Sequence, residues 1–269
     1  MQYDPIKKIF GDAARNKPWL RILFYKLLGI AFLREWYVKS ELRRQLSQRK
    51  EPFTVYDAGS GFGQYSYFIA KQFPLATIYS IDLKEEQIAD CNQFFRTIGL
   101  VRCSFAVEDL MQIQHKEKFD VILSVDVMEH IPDDVKVFQN FYRALKKNGQ
   151  LFINTPSNLG GSDVHSQDDH SFVEEHARNG YSVEEIRNKL EAAGFHAETI
   201  RYTYGHWGTA AWRLGIKFPL LLLHASKGFF ILLPLYYLIV LPLVLPMMWL
   251  DYSTDNKTGT GLNVVAKKA

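Results

Sequence analysis

The sequence predicts an α/β protein built on a seven-stranded, doubly wound sheet, with a helical cap at its N-terminus and an apolar helical insertion between the last two strands. Three observations lead to this fold. β-rich runs alternate with helix-patterned segments from residue 53 onward, a glycine-rich turn follows the first run, and acidic residues end several runs. Such alternation gives right-handed crossovers and a parallel sheet, so we expect the acids at one edge, where the strands end.

The first strand and helix are joined by a turn that is rich in glycine. The strand is Phe53 to Tyr56, the helix is Gln64 to Gln72, and between them stand Gly59, Gly61 and Gly63. Glycine lets the backbone bend sharply and lets a ligand lie on the main chain, where a Cβ atom would collide. We therefore expect a nucleotide-like ligand here; the alternative is a loop that only needs positive φ angles.

Acidic residues flank this turn. Asp57 follows the first strand, and Asp82 follows the second, which runs from Ala76 to Ile81. A carboxylate at the end of the second strand can accept hydrogen bonds from both hydroxyls of a ribose. The glycine spacing, G-x-G-x-G, differs from the G-x-G-x-x-G fingerprint of NAD-binding domains, so the pattern disfavours a nicotinamide-dependent oxidoreductase.

The segment D-A-G-S-G-F-G, residues 57–63, resembles motif I of the class I S-adenosylmethionine-dependent methyltransferases, and Y-S-I-D, residues 79–82, resembles the end of their second strand. The resemblance implies a Rossmann-like fold and S-adenosylmethionine as the cofactor. It also implies that Asp57 and the three glycines hold the methionine and ribose side, and that Asp82 holds the ribose hydroxyls. Asp109, after the third strand, matches the acid that binds the adenine amino group. The predicted cofactor set is completed by Leu83, Leu110 and Ser124.

The remaining elements of the sheet domain follow in order along the chain. Helices are predicted from Lys84 to just before Gly99, over Asp133 to Lys147 and over Ser182 to Ala193. Strands are predicted over Val101 to Val107, Phe119 to Val125, Gln150 to Asn154, His196 to Tyr204 and Gly261 to Lys267. In the family that the sequence resembles, the last two strands form an antiparallel hairpin.

Two segments around the expected acceptor site also resemble family patterns. Residues 126–132, D-V-M-E-H-I-P, resemble the D/E-x-x-E-H-I/V-P segment of the ubiquinone- and menaquinone-biosynthesis methyltransferases. Residues 162–181 are polar and follow the fifth strand, where an active-site lid is expected, and they contain His165, His170 and His176. The run from His176 to Ser182 resembles the H-x-R-x-x-Y/F-S segment that precedes the next helix in many of these enzymes.

Three roles are open for Glu129, His130, His170 and His176. A histidine with a pKa near neutrality can take a proton from an acceptor hydroxyl, which makes the oxygen a better nucleophile. Alternatively, Asp126, Glu129 and His130 bind a divalent metal together with a loop histidine, an arrangement that resembles the site of small-RNA ribose methyltransferases. Glu129 and His130 can also simply orient the loop after the fourth strand. We expect catalytic use of these side chains without a metal.

The N-terminal fifty residues are basic and rich in large apolar side chains. They contain 12 Lys and Arg against 4 Asp and Glu, whereas the whole chain has a net charge of only +3. This pattern favours anionic lipid headgroups over nucleic acid as the partner. Residues 18–50 are predicted to form one or two amphipathic or capping helices, and the alternative is ordinary helices packed on the sheet. Two cysteines are too few for a disulfide framework and suit a reducing compartment.

The insertion between the last two strands is the most apolar part of the chain. Phe229 to Leu250 contains no charge over 22 residues, which as a helix of about 33 Å is long enough to cross a bilayer. A single crossing would separate the last strand from its sheet. Pro234, Pro242 and Pro246 would also leave carbonyls unpaired in lipid. We therefore predict that residues 213–250 form a broken or re-entrant helical hairpin in one leaflet; the alternative is an apolar subdomain buried in the protein or in a dimer.

These features together predict an enzyme of three parts: a cap over residues 1–50, a methyltransferase domain over residues 51–205 and 259–269, and a membrane-associating insertion over residues 206–258. The expected reaction is methyl transfer, with O-methylation favoured, from S-adenosylmethionine to a hydrophobic or lipid-like acceptor. The expected location is the cytoplasmic face of a membrane, with no nucleic acid partner. The alternatives are a nicotinamide-dependent oxidoreductase, disfavoured by the glycine spacing, and a non-catalytic membrane adaptor.

Overall fold

A computed structural model describes residues 17–160 and 177–269 of the chain. Over these ranges the strands are β1 (Phe53–Ala58), β2 (Ala76–Asp82), β3 (Cys103–Val107), β4 (Phe119–Val125), β5 (Leu145–Pro156), β6 (Phe195–Thr203) and β7 (Gly261–Lys268). The α-helices are α1 (Pro18–Ala31), α2 (Leu33–Leu46), α3 (Gln64–Gln72), α4 (Glu85–Thr97), α5 (Asp134–Ala144), α6 (Val183–Ala192), α7 (His206–Trp212), α8 (Phe218–Ala225) and α9 (Leu233–Ser253).

The strands form one sheet in the order β3-β2-β1-β4-β5-β7-β6. β1 to β5 are parallel, whereas β7 runs antiparallel to both of its neighbours. The strand order reverses between β1 and β4, and such a switch point leaves a crevice at the carboxyl ends of the strands. The predicted fold class is therefore confirmed, including the antiparallel pair at the end of the chain.

Two hydrophobic cores cover the two faces of the sheet. Successive residues of β1 enter different cores, as the alternation of a strand requires. Val55 packs in the core that α1 to α4 close, whereas Tyr56 packs in the core that α5 and α6 close. The carboxyl edge of the parallel strands lies between these helix layers, so the residues at the strand ends face the crevice.

The end of α5 differs from the prediction. The sequence predicts a helix as far as Lys147, because Asn148 and Gly149 resemble a helix end. In the structure the helix ends at Ala144, and Leu145 takes an extended conformation with ψ of 141°. Leu145 is fully buried and pairs with Phe119 of β4, so its burial in the sheet overrides the local signal. Asn148, with φ of 62°, bends the chain within β5 instead.

The N-terminal segment combines both predicted arrangements. Helix α2 packs on the sheet and buries Val38, Leu42 and Leu46 in the same core as β1. Helix α1 buries only Arg21 and Tyr25 and leaves four of its large apolar residues exposed. One helix of the cap is therefore an ordinary core helix, and the other is amphipathic.

The insertion forms a helical hairpin, as predicted, but a longer one. Its first leg runs from α7 through a π-helical turn (Arg213–Lys217) into α8, and α9 is the second leg. A short 3₁₀ helix, Lys227–Leu232, connects the legs. Asp251, fully buried, accepts hydrogen bonds from the backbone of Gly208 (2.8 Å) and the hydroxyl of Tyr37 (2.7 Å). Both legs are thus fixed to each other and to α2, which packs on the sheet, at the same place.

The two legs satisfy each other's backbone groups where a proline interrupts the first leg. Pro219 has no N–H, so it cannot bond to the carbonyl of Gly215 four residues earlier or to that of Leu214 five residues earlier, the π-helical spacing. The hydroxyls of Tyr237 and Tyr236 donate to these carbonyls, at 2.9 and 2.5 Å respectively. These carbonyls therefore do not need water as a donor, and the hairpin can tolerate this proline.

Candidate functional site

The turn between β1 and α3 has three glycines in the left-handed region, and their surroundings differ. Gly59, Gly61 and Gly63 have φ angles of 81°, 51° and 73°. A Cβ on Gly59 would come within 2.3 Å of the Val127 side chain, and one on Gly63 would press on aromatic rings at 3.1–3.3 Å. A Cβ on Gly61 would meet nothing within 4 Å. Packing therefore explains the outer two glycines, whereas Gly61 faces open space that a ligand can fill.

Asp82 lies directly against this open part of the turn. Its Oδ2 atom accepts a hydrogen bond from the backbone N–H of Gly61 (2.9 Å), and its Oδ1 atom accepts one from Lys84 (3.1 Å). Each carboxylate oxygen can accept a second hydrogen bond. The neighbouring Leu83 is exposed, so its side chain is available to a ligand as well. The geometry thus holds a carboxylate in a fixed orientation beside the space at Gly61.

Asp57 is placed differently from Asp82. Its carboxylate is buried and accepts a hydrogen bond of 2.5 Å from Ser66 of α3, which in turn contacts Ser80 of β2. Burial raises the pKa of Asp57 to about 6, and the hydrogen bond from Ser66 offsets part of that rise. The contact gives Asp57 a role in fixing the turn between β1 and α3. That it also contacts a ligand stays a prediction.

Asp109 and Leu110 follow β3 at the same edge of the sheet. The Asp109 carboxylate accepts hydrogen bonds of 2.9 Å from the backbone of Met111 and from the side chain of Gln112. Leu110 is buried, and its carbonyl accepts a hydrogen bond from Asn140 of α5. These contacts hold the segment after β3 in one conformation, with the acid at its start.

Two serine hydroxyls at this edge are buried without a hydrogen-bond partner among the residues that the structure describes. They are Ser60, in the glycine turn, and Ser124, near the end of β4. Buried hydroxyls in native proteins are nearly always hydrogen bonded to protein, water or ligand. Ser60 precedes Gly61 and Ser124 pairs with Ala58 of β1, so both hydroxyls fit a site near the turn that a polar ligand completes.

The loop after β4 is held by the N-terminal cap. Asp126 has a φ of 50°, which is rare for a residue with a side chain, and its N–H bonds to the carbonyl of Asn154 at 2.9 Å. Its carboxylate forms an ion pair with Arg34 of α2. Sequence reasoning missed Arg34, because nothing in the local pattern distinguishes it from the other basic residues of this segment.

Glu129 and His130 lie in a 3₁₀ helix of this loop, Met128–His130. Glu129 is 1% exposed and accepts a hydrogen bond of 3.1 Å from Thr155 at the end of β5. Burial raises the pKa of Glu129 to about 7, in spite of that hydrogen bond and the positive charges of Arg34 and Arg178. The carboxyl group can therefore exchange a proton near neutral pH. His130 is partly buried beside it.

The run before α6 supports the same loop from the other side. Arg178, Tyr181 and Lys189 all donate to the Oδ2 atom of Asp134, at 2.5, 2.6 and 2.8 Å. Arg178 also donates to the carbonyl of Ile131 at 2.8 Å. In this run the arginine and tyrosine therefore position the loop that carries Glu129.

The predicted loop histidines, His165, His170 and His176, lie outside the described residues. Among the residues that the structure does describe, no three His, Cys, Asp or Glu side chains come together as a metal site. The metal alternative would combine Asp126, Glu129 and His130 with one of the loop histidines, so it rests on a residue of this undescribed segment.

A second cavity, of about 570 Å³, lies at the base of the hairpin. One helical face lines it, at spacings of three and four residues: His206, Thr209, Ala210, Arg213 and Leu214. The opposite wall consists of Leu159, after β5, and Thr258 to Thr260, before β7. β5 lies two strands from β1, which is roughly 10 Å at the usual spacing. The cavity therefore opens at the same sheet edge as the glycine turn and leads towards the hairpin.

Comparison with known proteins assigns the sheet domain to the family that its motifs resemble. The family model described as "Methyltransferase domain" matches residues 50–197, which is more than half of the chain. The ubiquinone biosynthesis O-methyltransferase of Histophilus somni (strain 2336) is 32% identical over 104 residues, which are 38% of this chain and 44% of that protein. The chain thus spans less than half the length of this relative.

Solved structures share the fold at low sequence identity. The phosphoethanolamine N-methyltransferase 2 of Haemonchus contortus, in complex with S-adenosyl-L-methionine, has a TM-score of 0.63 and 19% identity over 96% of this chain and 59% of that one. The [4+2]-cyclase SpnF has a TM-score of 0.61 and 17% identity over 86% of this chain and 80% of that one. The same fold thus occurs in proteins that are named for different reactions.

Proposed function

The chain belongs to the family of methyltransferase domains, as the resemblance in its motifs predicts, and we propose that it transfers a methyl group from S-adenosylmethionine to a hydrophobic or lipid-like acceptor at one face of a membrane. The observation that carries the donor half of this proposal is the open space at Gly61 with Asp82 fixed beside it. Gly61 would admit the cofactor to the main chain, Asp82 would accept the ribose hydroxyls, and Asp109 would accept from the adenine amino group.

S-adenosylmethionine supplies a methyl group on a positively charged sulfur, so the protein mainly has to align the donor with the acceptor. The loop after β4 lies next to the turn in the sheet and the end of β5 lies one strand further, and an acceptor would meet the methyl group there. If the acceptor is a hydroxyl, its proton must leave. Glu129, with a pKa near 7, and His130 would receive it.

The exposure of the hairpin supports a membrane-bound acceptor. Within the described residues, Gly228–Ser253 is one helical segment that is long and apolar enough to cross a membrane, and only 6% of its most apolar window is buried. Large side chains at and near the connection are exposed, among them Phe230 (64%), Ile231 (82%) and Leu238 (72%). An apolar surface of this size needs a partner. The alternative of a subdomain buried within this chain does not fit these exposures.

The length of the hairpin favours insertion into one leaflet. The hairpin begins near Gly208 and ends near Asp251, which bond to each other and to Tyr37 of α2, so it must return to the side from which it enters. From Lys217, the last Lys or Arg of the first leg, helix α8 reaches its end at Ala225 after eight residues, or about 12 Å. That is less than half of a hydrocarbon core of about 30 Å. We infer attachment to the cytoplasmic face of a membrane.

The cavity at the base of the hairpin suits an acceptor with a polar head and an apolar tail. Its lining includes the polar residues His206, Thr209 and Thr258. Leu214 is the lining residue farthest along the first leg towards the connection of the hairpin. The helical face continues to Phe218 and Leu221, which are exposed. A polar head in the cavity would lie at the sheet edge while its tail followed these side chains into the leaflet.

Two experiments separate this function from its alternatives. Calorimetric titration should show binding of S-adenosylmethionine and S-adenosylhomocysteine and no binding of NAD; binding of NAD would instead support an oxidoreductase. Formation of S-adenosylhomocysteine should then depend on added membrane vesicles. Donor binding without any turnover on vesicles would support a non-catalytic adaptor, or a different reaction on the same fold, as the cyclase illustrates.

A further inference from the structure

Helix α1 has two faces of opposite character. Trp19, Leu23, Leu27 and Ile30 are exposed by 60%, 44%, 51% and 48%. At about 100° per residue these four positions fall within an arc of about 80°. Arg21 and Tyr25 lie on the opposite side of the helix and are buried. A soluble helix normally turns its apolar stripe inward, so α1 is arranged as a helix with an apolar environment outside the protein.

The buried face of α1 holds the glycine turn. The Nη2 atom of Arg21 donates to the carbonyl of Phe62 at 2.8 Å, and the hydroxyl of Tyr25 donates to the same carbonyl. Phe62 stands between Gly61, which faces the open space, and Gly63. Arg21 is itself fixed on α4 by Asp90, at 2.6 Å, and by stacking over the ring of Phe94. The position of α1 and that of the turn are therefore linked.

The C-terminal end of α1 lies at the base of the hairpin. Leu33, at the elbow between α1 and α2, packs with Ala211, Val244 and Met248 of the hairpin legs. The indole of Trp36 donates to the carbonyl of Gly29 at 2.9 Å and so fixes the end of α1 to this elbow. Helix α1 contains no acidic residue, and Lys26, next to the stripe, is exposed. An anionic lipid surface is the partner that matches an apolar stripe with basic neighbours beside a hairpin of the same character.

We propose that α1 is a second lipid-contacting helix, and that a bilayer strengthens methyl-donor binding by holding α1 on the turn at Phe62. This inference rests on the proposed function. We call α1 docked when Arg21 and Tyr25 bond to the carbonyl of Phe62. A bilayer held at the hairpin would stabilise this docked position, because the stripe reaches the same lipid surface only when α1 is docked. By linkage, donor binding and membrane contact of α1 must strengthen each other by the same factor. A bilayer that favoured docked and undocked α1 equally would have no effect.

The test measures the Kd of S-adenosylhomocysteine for the full chain in two environments. One is a nanodisc of phosphatidylcholine and phosphatidylglycerol in equal parts, and the other is an amphipol without bilayer. We expect the Kd of the wild type to be at least threefold lower in the nanodisc. The double variant Leu23→Gln, Leu27→Gln should match the wild type in amphipol and show no gain in the nanodisc. Leu75→Gln, an exposed leucine before β2, is the matched control and should keep the gain.

Tyr25→Phe tests the connection to the turn rather than the stripe. It removes the hydroxyl that donates to Phe62 and leaves the exposed leucines unchanged. We expect unchanged nanodisc binding and a reduced gain in donor affinity. Equal Kd values for the wild type in both environments, or a full gain in the stripe variant, would overturn the inference. Absence of S-adenosylhomocysteine binding in both environments would contradict the proposed function itself and this inference with it.

Discussion

The backbone N–H of Gly61 donates a hydrogen bond of 2.9 Å to the Oδ2 atom of Asp82. This bond joins the glycine turn after β1 to the end of β2. It fixes the carboxylate before any ligand arrives, so the acid does not have to be ordered when the ligand binds. The bond also leaves the second lone pair of Oδ2 available to a ribose hydroxyl.

Replacement of Asp82 should therefore affect donor binding more than folding. Charge-assisted hydrogen bonds contribute about 1.5–3 kcal/mol each before water replaces them, so Asp82→Ala should weaken S-adenosylmethionine binding at least tenfold. Asp82→Asn keeps an acceptor for the N–H of Gly61 and should therefore reduce S-adenosylmethionine affinity less than Asp82→Ala does. Calorimetry measures both, with Glu198→Ala on the edge strand β6 as a control. Unchanged affinity in folded Asp82→Ala protein would remove this residue from the donor site.

Two alanine substitutions in the turn should separate packing from ligand contact. Gly61→Ala costs only the left-handed strain of about 1–2 kcal/mol, because its Cβ meets nothing within 4 Å, but it should reduce donor affinity more than tenfold. Gly59→Ala adds a clash with Val127 at 2.3 Å and should destabilise the fold by about 2–5 kcal/mol.

Thermal unfolding and calorimetry on the same samples check this distinction. Val127→Ala should rescue part of the stability of Gly59→Ala, because it removes the atoms that clash. It should not restore donor binding to Gly61→Ala. If Gly61→Ala binds the donor like the wild type, the open space at the turn is not the ligand site.

The buried Glu129 should make stability depend on pH. Its pKa is about 7 in the folded protein against an ordinary value of 4.5, so the folded state holds a proton that the unfolded state releases. Its contribution to stability is complete below about 4.5 and is lost as the pH rises through about 7. Glu129→Gln keeps the shape and removes the titration. Between pH 5 and pH 8 the variant should gain about 1–3 kcal/mol relative to the wild type.

Chemical unfolding of both proteins across this pH range is the measurement. Asp57, whose pKa is also raised by burial, titrates in both proteins and so cancels in the difference. A difference in unfolding free energy that does not change with pH would show that Glu129 is ionised throughout, and would remove it as a proton acceptor near neutrality.

The hairpin offers a double-mutant cycle across its two legs. Tyr237→Phe leaves the carbonyl of Gly215 without its donor and should destabilise the hairpin by about 1–2 kcal/mol. Pro219→Ala restores an N–H four residues after Gly215, so in that background the loss should be smaller. Unfolding of the four proteins in the cycle gives the coupling, expected at about 1 kcal/mol. A coupling of zero would mean that the tyrosine does not replace the missing N–H.

Local sequence patterns were sufficient for much of the fold. Helix α3 and strand β4 have the predicted bounds, and the predicted N-cap at Ser182 accepts a hydrogen bond from Glu185 at 3.0 Å. Each signal lies within the element that it describes. Asp82 was predictable for the same reason, because its role follows from its place at the end of a strand.

Contacts between distant parts of the chain could not be predicted in this way. Arg21 bonds to Phe62 and Asp90, which are 41 and 69 residues away, and its own surroundings in the sequence are an apolar helix. From the sequence, Arg21 only interrupts an apolar run. In the structure it is 5% exposed and holds the glycine turn. The orientation of Asp57 was equally hidden, because the pattern places it at the turn but does not say that Ser66 lies beneath it.

Membrane attachment through the hairpin should resist salt. Electrostatic contacts of the basic N-terminal segment are screened at high ionic strength, whereas an inserted apolar hairpin is not. Membrane-bound protein should therefore stay in the pellet after washes with high salt and with carbonate. Tags at the two termini should both be accessible to protease from the cytoplasmic side of sealed vesicles. Release by salt alone, or termini on opposite sides, would exclude the leaflet hairpin.

The most direct test of the proposed function follows a labelled methyl group from S-adenosylmethionine. Purified wild-type protein is incubated with labelled donor and host membranes, and the label is then partitioned between organic solvent and water. We predict that label enters a lipid-soluble product, that Asp82→Ala reduces the rate at least tenfold at donor concentrations below Kd, and that Glu198→Ala leaves it unchanged. Absence of label from the organic phase, with transfer only to water-soluble molecules, would contradict a membrane-held acceptor.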